Sequence, residues 1–414
     1  GKPEEARDAI VKLLETTPNH PQALTLAGIA SRQSGDLEKA EEYLIKATEI
    51  SGTEAKAWIV RGEMEIEKGN TEEGLDLLRK ALSANPSNPE ITAALAISLK
   101  NNNQVAEAYP LLRRLSEAGV NPKVDELLVE AMKELGIDDL ETVLKTLSLR
   151  YPQSQKFQGE YATVLVENGN REKGRLILTA LKDANQLEPG WALALLETLV
   201  GANYQELRKT KKWTSTEINE VGNFLETVLT GDSENIHARL LNGEFALETG
   251  QINRAFDIFS DLVELFKYEQ NDLIERVLAG LARSAAGLGR LEIARTAIGD
   301  AVDRKPRWAG LRQLCAEVLR LSGKENEAYK EARFVQEIVP VNPDNLKWYA
   351  NFLVSIGRRE EASGELNAAV EANLDNLDYR LLLAEHLAES EPNKTTEVIG
   401  ELKHMLAIAE NPIS

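Results

Sequence analysis

The sequence predicts an all-α chain, an α-solenoid of about eleven helix-turn-helix repeats of about 34 residues each. Three observations predict it. Leu and Ala abound, aromatic residues make up only 5%, and few stretches favour β-branched residues, so helices dominate. Gly followed by a polar residue recurs at Gly35-Asp36, Gly69-Asn70, Gly169-Asn170, Gly250-Gln251, Gly289-Arg290, Gly323-Lys324 and Gly357-Arg358. Three of the intervals are 34 residues and one is 39; the interval of 100 before Gly169 is close to three periods, and the 81 after it is two periods plus an insertion. Thirdly, the same residues surround each Gly. A small residue precedes it (Gly28, Gly62, Ala162, Gly243, Ala282, Ala316, Ala350), another follows five places on (Ala40, Gly74, Gly174, Ala255, Ala294, Ala328, Ala362), and Leu44, Leu78, Leu178, Phe259, Ile298 and Leu366 come next at helical spacing. Pro18, Pro86, Pro152, Pro306 and Pro340 close units. Small residues let two antiparallel helices approach, Gly makes the tight turn, and Pro stops the second helix.

The unit at 55–88 is the fullest, with Ala55, Trp58, Gly62, Gly69, Gly74, Leu78, Ala81 and Pro86. It resembles the tetratricopeptide-repeat family, and the resemblance runs over essentially the whole chain. Residues 1–20 align with the turn and second helix of a unit, Ala6, Ile10, Leu13 and Pro18 taking the second-helix and stop positions. A solenoid rarely opens on half a unit, so the expectation is an excised fragment with repeats or another domain upstream. N-terminal repeats occupy 21–188, in units at 21–54, 55–88, 89–120, 121–154 and 155–188. The unit at 121–154 fits weakly, with Gly136 one place out of register and Leu140 where a small residue belongs. A long repeat at 189–235 carries about 13 extra residues, placed at 201–219. There Thr214 and Glu217 have capping-box spacing, so a helix restarts. C-terminal repeats fill 236–412, in units at 236–269, 275–308, 309–342, 343–376 and 377–412. The family fold implies a right-handed superhelix whose first helices line a concave groove and bind peptides there.

Chemistry is absent from this pattern. The net charge of −19 argues against sequence-independent nucleic-acid binding. A single cysteine excludes a disulfide framework and Cys-based metal sites. His20, His237, His386 and His404 show no metal-ligand spacing. Cys315 falls on a packed helix face as a small hydrophobe, and Gly287-Leu288-Gly289 is a repeat turn without a preceding strand. Glu41-Glu42, Glu72-Glu73 and Glu360-Glu361 complement helix N-termini. The reading is no enzyme, no cofactor, no metal, and no segment apolar enough to span a bilayer.

The working surface expected from the family is the groove, reached from positions 2, 5, 6, 9, 12 and 13 of each unit. Toward the N-terminus Leu26, Ile29, Ile59, Val60, Ala93, Ala94 and Ile97 project there, a strip suited to an amphipathic helix or extended apolar segment of a partner. Coverage by neighbouring units is the alternative. Further along, Glu197, Glu244, Glu317 and Glu385 recur at position 9, interrupted by Arg276 and Arg283; they suit a basic partner or form a solvated face. Lys347 and Asn351 match the first pair of the family's carboxylate clamp, but Leu382 breaks the second element and no third unit follows. The asparagine ladder of another branch is missing. Basic residues gather in Arg304-Lys305-Pro306-Arg307-Trp308 and in Arg208-Lys209-Thr210-Lys211-Lys212-Trp213. Beside Tyr204, the second cluster suits an acidic surface or nucleic acid, and overall acidity favours a solvated insertion. The function expected is a non-catalytic scaffold for protein or peptide partners. Two alternatives stay open, an envelope module of an exopolysaccharide-export or pilus-assembly machine and a regulatory array of a larger enzyme, so the compartment is cytoplasmic or periplasmic.

Overall fold

A computed structural model describes residues 10, 12–52, 54–119, 121–202, 212–266, 272–339, 342–373, 376–390 and 394–410, with backbone alone at 390, 395, 401 and 407–410. Among these residues no β-strand occurs. Helices follow one another in antiparallel pairs within two compact units, which divide between Gly169 and Asn170. The first unit contains α1 (Pro21–Gln33) with α2 (Leu37–Ile50), α3 (Ala55–Glu67) with α4 (Thr71–Ala84), α5 (Pro89–Asn101) with α6 (Val105–Glu117), α7 (Pro122–Leu135) with α8 (Leu140–Arg150), and α9 (Gln155–Glu167). The second begins with α10 (Arg171–Asp183) and pairs α11 (Pro189–Val200) with α12 (Ser215–Gly231), α13 (Ile236–Glu248) with α14 (Ile252–Phe266), and α15 (Ile274–Gly287) with α16 (Leu291–Arg304). It ends with α17 (Ala309–Leu321) and α18 (Glu325–Ile338), α19 (Pro343–Ser355) and α20 (Arg359–Ala372), and α21 (Leu377–Ser390) and α22 (Thr395–Glu410). Of the opening half-unit, residues 1–9 and 11 lie outside the described residues; 12–16 are helical and Leu14 is buried beside Leu24 and Leu44.

The turn inside each pair explains the glycine period. At Gly35 the chain takes φ +86°, its N–H bonds the Arg32 carbonyl at 3.1 Å, and the next N–H, of Asp36, bonds the Ser31 carbonyl at 2.9 Å. This is a Schellman closure, which needs a left-handed residue that costs glycine nothing. The other six glycines of the period have φ between 71° and 91°. In the third pair Asn103 takes the place at φ 59°, with Gln104 N–H on the Leu99 carbonyl at 2.9 Å; asparagine is one of the few side chains that tolerate this region.

Helix approach explains the small residues. A Cβ on Gly62 would stand 2.7 Å from Leu78 Cγ, and one on Gly74 2.5 Å from the Gly62 carbonyl, so α3 and α4 touch backbone to backbone there. Ala40, Ala255, Ala294, Ala328 and Ala362 are wholly buried at the same crossing in other pairs. Leu24 and Leu44, Leu78 and Leu95, Phe259 and Ile298, and Leu353 and Leu366 fill the space between layers. Each such side chain contributes about 1.5–3 kcal/mol, far more than any surface contact described below. Successive first helices approach each other closely (α1 to α3 to α5 to α7; α11 to α13 to α15 to α17), whereas no successive second helices do among the described residues. Each unit is therefore tighter on its first-helix side.

Two places break the repeat. In most pairs the second helix starts four residues after the first ends, as from Gln33 to Leu37, but α8 starts five after Leu135 and is only 11 residues long. Gly136 caps α7 directly at φ 63°, and a cavity of about 310 Å³ opens beside Ile137, Leu140 and Val164. At the second place α12 restarts on its capping box: Thr214 Oγ1 accepts the Glu217 N–H at 3.2 Å, and Glu217 Oε2 accepts the Thr214 N–H at 2.9 Å. Trp213 meets the Phe245 ring edge-on at 5.4 Å, so this indole is a packing residue. Tyr204, Arg208, Lys209 and Lys211 of the expected basic cluster lie outside the described residues.

Candidate partner-binding surface

In the first unit, charged side chains bridge one first helix to the next. Arg32 on α1 donates Nη1 to Glu63 at 3.0 Å and Nη2 to Glu67 at 2.5 Å on α3. Lys100 on α5 repeats the pattern on α7, with Glu134 at 2.5 Å and Glu130 at 3.9 Å. Lys133 on α7 bonds Glu160 on α9, and Lys156 on α9 returns to Glu126 and Glu130 at 3.1 and 3.4 Å. Pairs this exposed are worth about 0–1 kcal/mol each, so they decide the charge pattern of the face more than its stability. Arg32 and Lys100 both stand at position 12 of their units, but their acids fall at positions 9 and 13 of one following unit and at 10 and 14 of the other.

Of the expected apolar strip, Leu26 is 49% exposed. Ile29 is half-buried against the Leu24–Leu44 core, Ile59 and Ala94 are half-buried against Leu75 and Leu95, and Ile97 is half-buried. Val60 is buried with Ala57 and Met64 and belongs to the core. The repeat stacking thus takes up part of the strip and leaves Leu26 as its most open large side chain.

The second unit holds a buried charge network that gathers Glu197, Glu244 and Arg276. From the start of α15, Arg276 donates Nε and Nη2 to the two carboxylate oxygens of Glu244 on α13 at 3.0 and 2.5 Å, and Nη1 to Glu197 on α11 at 2.9 Å. Glu197 also accepts from Arg171 at 2.7 Å and lies 3.0 Å from His237 Nε2. The backbone after α11 is tied in: Ala202 donates its N–H to Glu244 at 3.0 Å, and Arg171 Nη1 donates to the Gly201 carbonyl at 2.9 Å. A side chain at Gly201 would run into the Glu197 carboxylate. Burial pushes the Glu197 carboxyl up, but the His237 contact and the charges of Arg276 and Arg171 outweigh it and hold it below its ordinary value. At Glu244 complete burial wins and pushes the carboxyl up against the pull of Arg276. Glu197 and Glu244 therefore neutralise an internal arginine; they do not form an open acidic face.

The remaining candidates are scattered. Arg283 pairs with Glu248 at 3.0 Å, and Glu317 is half-buried. Exposed Lys347 bonds Glu385 on the next first helix at 2.7 Å, exposed Asn351 lies on the same helix, and Leu382 is buried. In the Arg304–Trp308 turn the Lys305 ammonium sits 5.5 Å from the Trp308 ring centre.

One contact resembles catalytic chemistry. Ser363 Oγ lies 3.0 Å from His386 Nε2, both residues being buried. The same hydroxyl lies 3.2 Å from the Arg359 carbonyl, which competes with the imidazole for its single hydrogen. Burial pushes the Cys315 thiol up to about 12, the opposite of an activated nucleophile. Among the described residues no group of three His, Cys, Asp or Glu stands close enough to share a metal ion, and no helix is long and apolar enough to cross a membrane.

Two tetratricopeptide-repeat family models match the sequence, over residues 1–55 and 65–130. No curated relative matches it by sequence. Among solved structures the chain is similar to yeast Tom70, at 13% identity over 93% of this chain and 91% of that one with a TM-score of 0.41. It is also similar to the APC/C hetero-tetramer Cut9-Hcn1, at 13% identity over 100% and 91% with a TM-score of 0.42. A third is TTC0263, a thermophilic tetratricopeptide-repeat protein of Thermus thermophilus, at 20% identity over 49% and 100% with a TM-score of 0.37. The two matched segments are similar to tetratricopeptide repeats, and the helical pair with the same glycine turns and small crossing residues recurs through the rest of the described residues.

Proposed function

We propose that the chain is a non-catalytic scaffold that binds segments of partner proteins along its first helices. The observation that carries this reading is the packing asymmetry. First helices adjoin one another from α1 to α7 and from α11 to α17, and on the first of these faces Leu26 stands open among the Arg32 and Lys100 bridges. A partner segment with an apolar side chain for Leu26 and alternating charges for the bridges would fit that face. Leu26→Asp tests the reading, because an exposed side chain can be changed without disturbing the core. A partner captured by the parent chain should be lost by the variant while helicity by circular dichroism stays the same. Capture that survives both this change and Ile97→Asp would exclude the first-helix face of the first unit.

A further inference from the structure

The irregular long repeat leaves a cavity of about 510 Å³ between α12, α13 and the start of α14. That lies within the range of ligand clefts, roughly 300–1,000 Å³. Its lining includes Leu225 and Phe245, both buried, and Gly222 beside the Phe245 ring. On one wall α12 presents exposed Asn219, Asn223 and Glu226 at helical spacing. Asn242 and Arg254 stand opposite.

Exposed Arg254 is held by neutral partners. Its Nη1 donates to Gln251 Oε1 at 3.1 Å and its Nη2 to Asn242 Oδ1 at 3.0 Å. Both acceptors are neutral, and among the described residues no carboxylate reaches the guanidinium, although the chain has 67 acids for 48 bases. Neutral acceptors fix the plane of the guanidinium and leave its charge unspent. The side chains of Asn219 and Asn223 have no partner within the protein among the described residues, and Asn242 keeps its amide N–H groups. An asparagine amide matches a peptide group, offering one donor side and one acceptor.

We propose that this cavity binds a short extended peptide segment bearing one carboxylate, the carboxylate on Arg254 and the peptide backbone on Asn219, Asn223 and Asn242. An apolar side chain of the segment rests on Phe245. Glu226, the acid in the lining, discriminates against a second negative charge. Asn242 and Phe245 fall at positions 7 and 10 of their unit, away from the positions expected to face the groove, so the site stands or falls independently of the first-helix reading.

The carboxylate has two possible sources, an acidic side chain or a chain terminus, and three peptides separate them. Isotope-labelled full chain is titrated with acetyl-Ala-Leu-Asp-Leu-Ala-amide, with its Asn counterpart, and with that Asn peptide carrying a free C-terminal carboxylate. Side-chain nitrogen signals of Asn219, Asn223, Asn242 and Arg254 are followed by NMR. At least one carboxylate peptide should shift these signals and bind about tenfold or more tightly than the neutral one, as charge-assisted bonds imply. Arg254→Gln should remove that advantage, and Glu226→Gln should strengthen binding severalfold. Equal affinity for all three peptides, no shift at these side chains with millimolar peptide, or an advantage that persists in Arg254→Gln would overturn the proposal.

Discussion

Arg276 is a long cationic side chain buried between two carboxylates, so its loss leaves Glu244 buried without its cationic partner and Glu197 with Arg171 and His237 alone. Removing one member of such a network typically costs about 3–5 kcal/mol. Arg276→Ala should therefore lower the urea midpoint clearly, with the loss of amide protection concentrated in α11, α13 and α15. The pH dependence has a definite sign. The Glu197 carboxyl titrates lower in the fold than in the unfolded chain, so its stabilisation is complete above the ordinary Glu value of about 4.3 and fades as pH falls through the lowered folded value. Glu244, pushed up by burial, works in the opposite direction and offsets part of this. The stability difference between the parent and Glu197→Gln should accordingly be constant from neutral pH to about pH 5 and shrink below about pH 4. Cys315 makes a simpler reporter. With its thiol pushed up to about 12 by burial, it should resist iodoacetamide at pH 8 in the native chain and react once urea unfolds it. Rapid native alkylation would mean that α17 opens locally.

At the scale of the helical pair, the intra-pair turn and the crossing carry different loads. The turn asks for a backbone conformation, the crossing for the absence of atoms. Gly35→Ala keeps an open surface around the new methyl but forces a non-glycine residue to φ +86°, a cost of about 1–2 kcal/mol. Gly35→Asn should cost less than half of that, because Asn103 already occupies the equivalent place in the third pair. Thermal midpoints of the two variants decide the point, and equal destabilisation would show that the turn's steric argument is wrong. These turns and crossings were legible from spacing alone, since both requirements are met by residue types that recur once per period. The restart of α12 at Thr214 was legible for the same reason. The bridges from Arg32 and Lys100 were not, because a charge has no fixed partner until the stacking register brings another unit's acids beside it.

Local contacts between neighbouring pairs are joined by a longer link, since Arg276 and Glu197 are 79 positions apart and belong to pairs with another between them. Charge acts on the whole molecule in a different way. The surface pairs favour the fold at low salt, whereas a net charge of −19 opposes compaction, and both are screened by added salt. Single pairs are worth at most about 1 kcal/mol, and the expected outcome is that self-repulsion outweighs them. The thermal midpoint should rise when NaCl is increased from about 20 to about 300 mM, a range over which the screening length falls severalfold. A fall would show that the bridges outweigh the excess of acids.

Period, helix class, turn positions and crossing residues followed from the amino-acid sequence by itself, because each depends on residues close in the chain and repeats at a constant interval. Tertiary structure decided which side chains remain available. Val60 was drawn into the core, Glu197 and Glu244 closed around Arg276, and Arg254 was left with neutral partners. The same residue types at the same register meet different neighbours wherever a pair is irregular, and burial and charge pairing depend on those neighbours and not on position within the repeat.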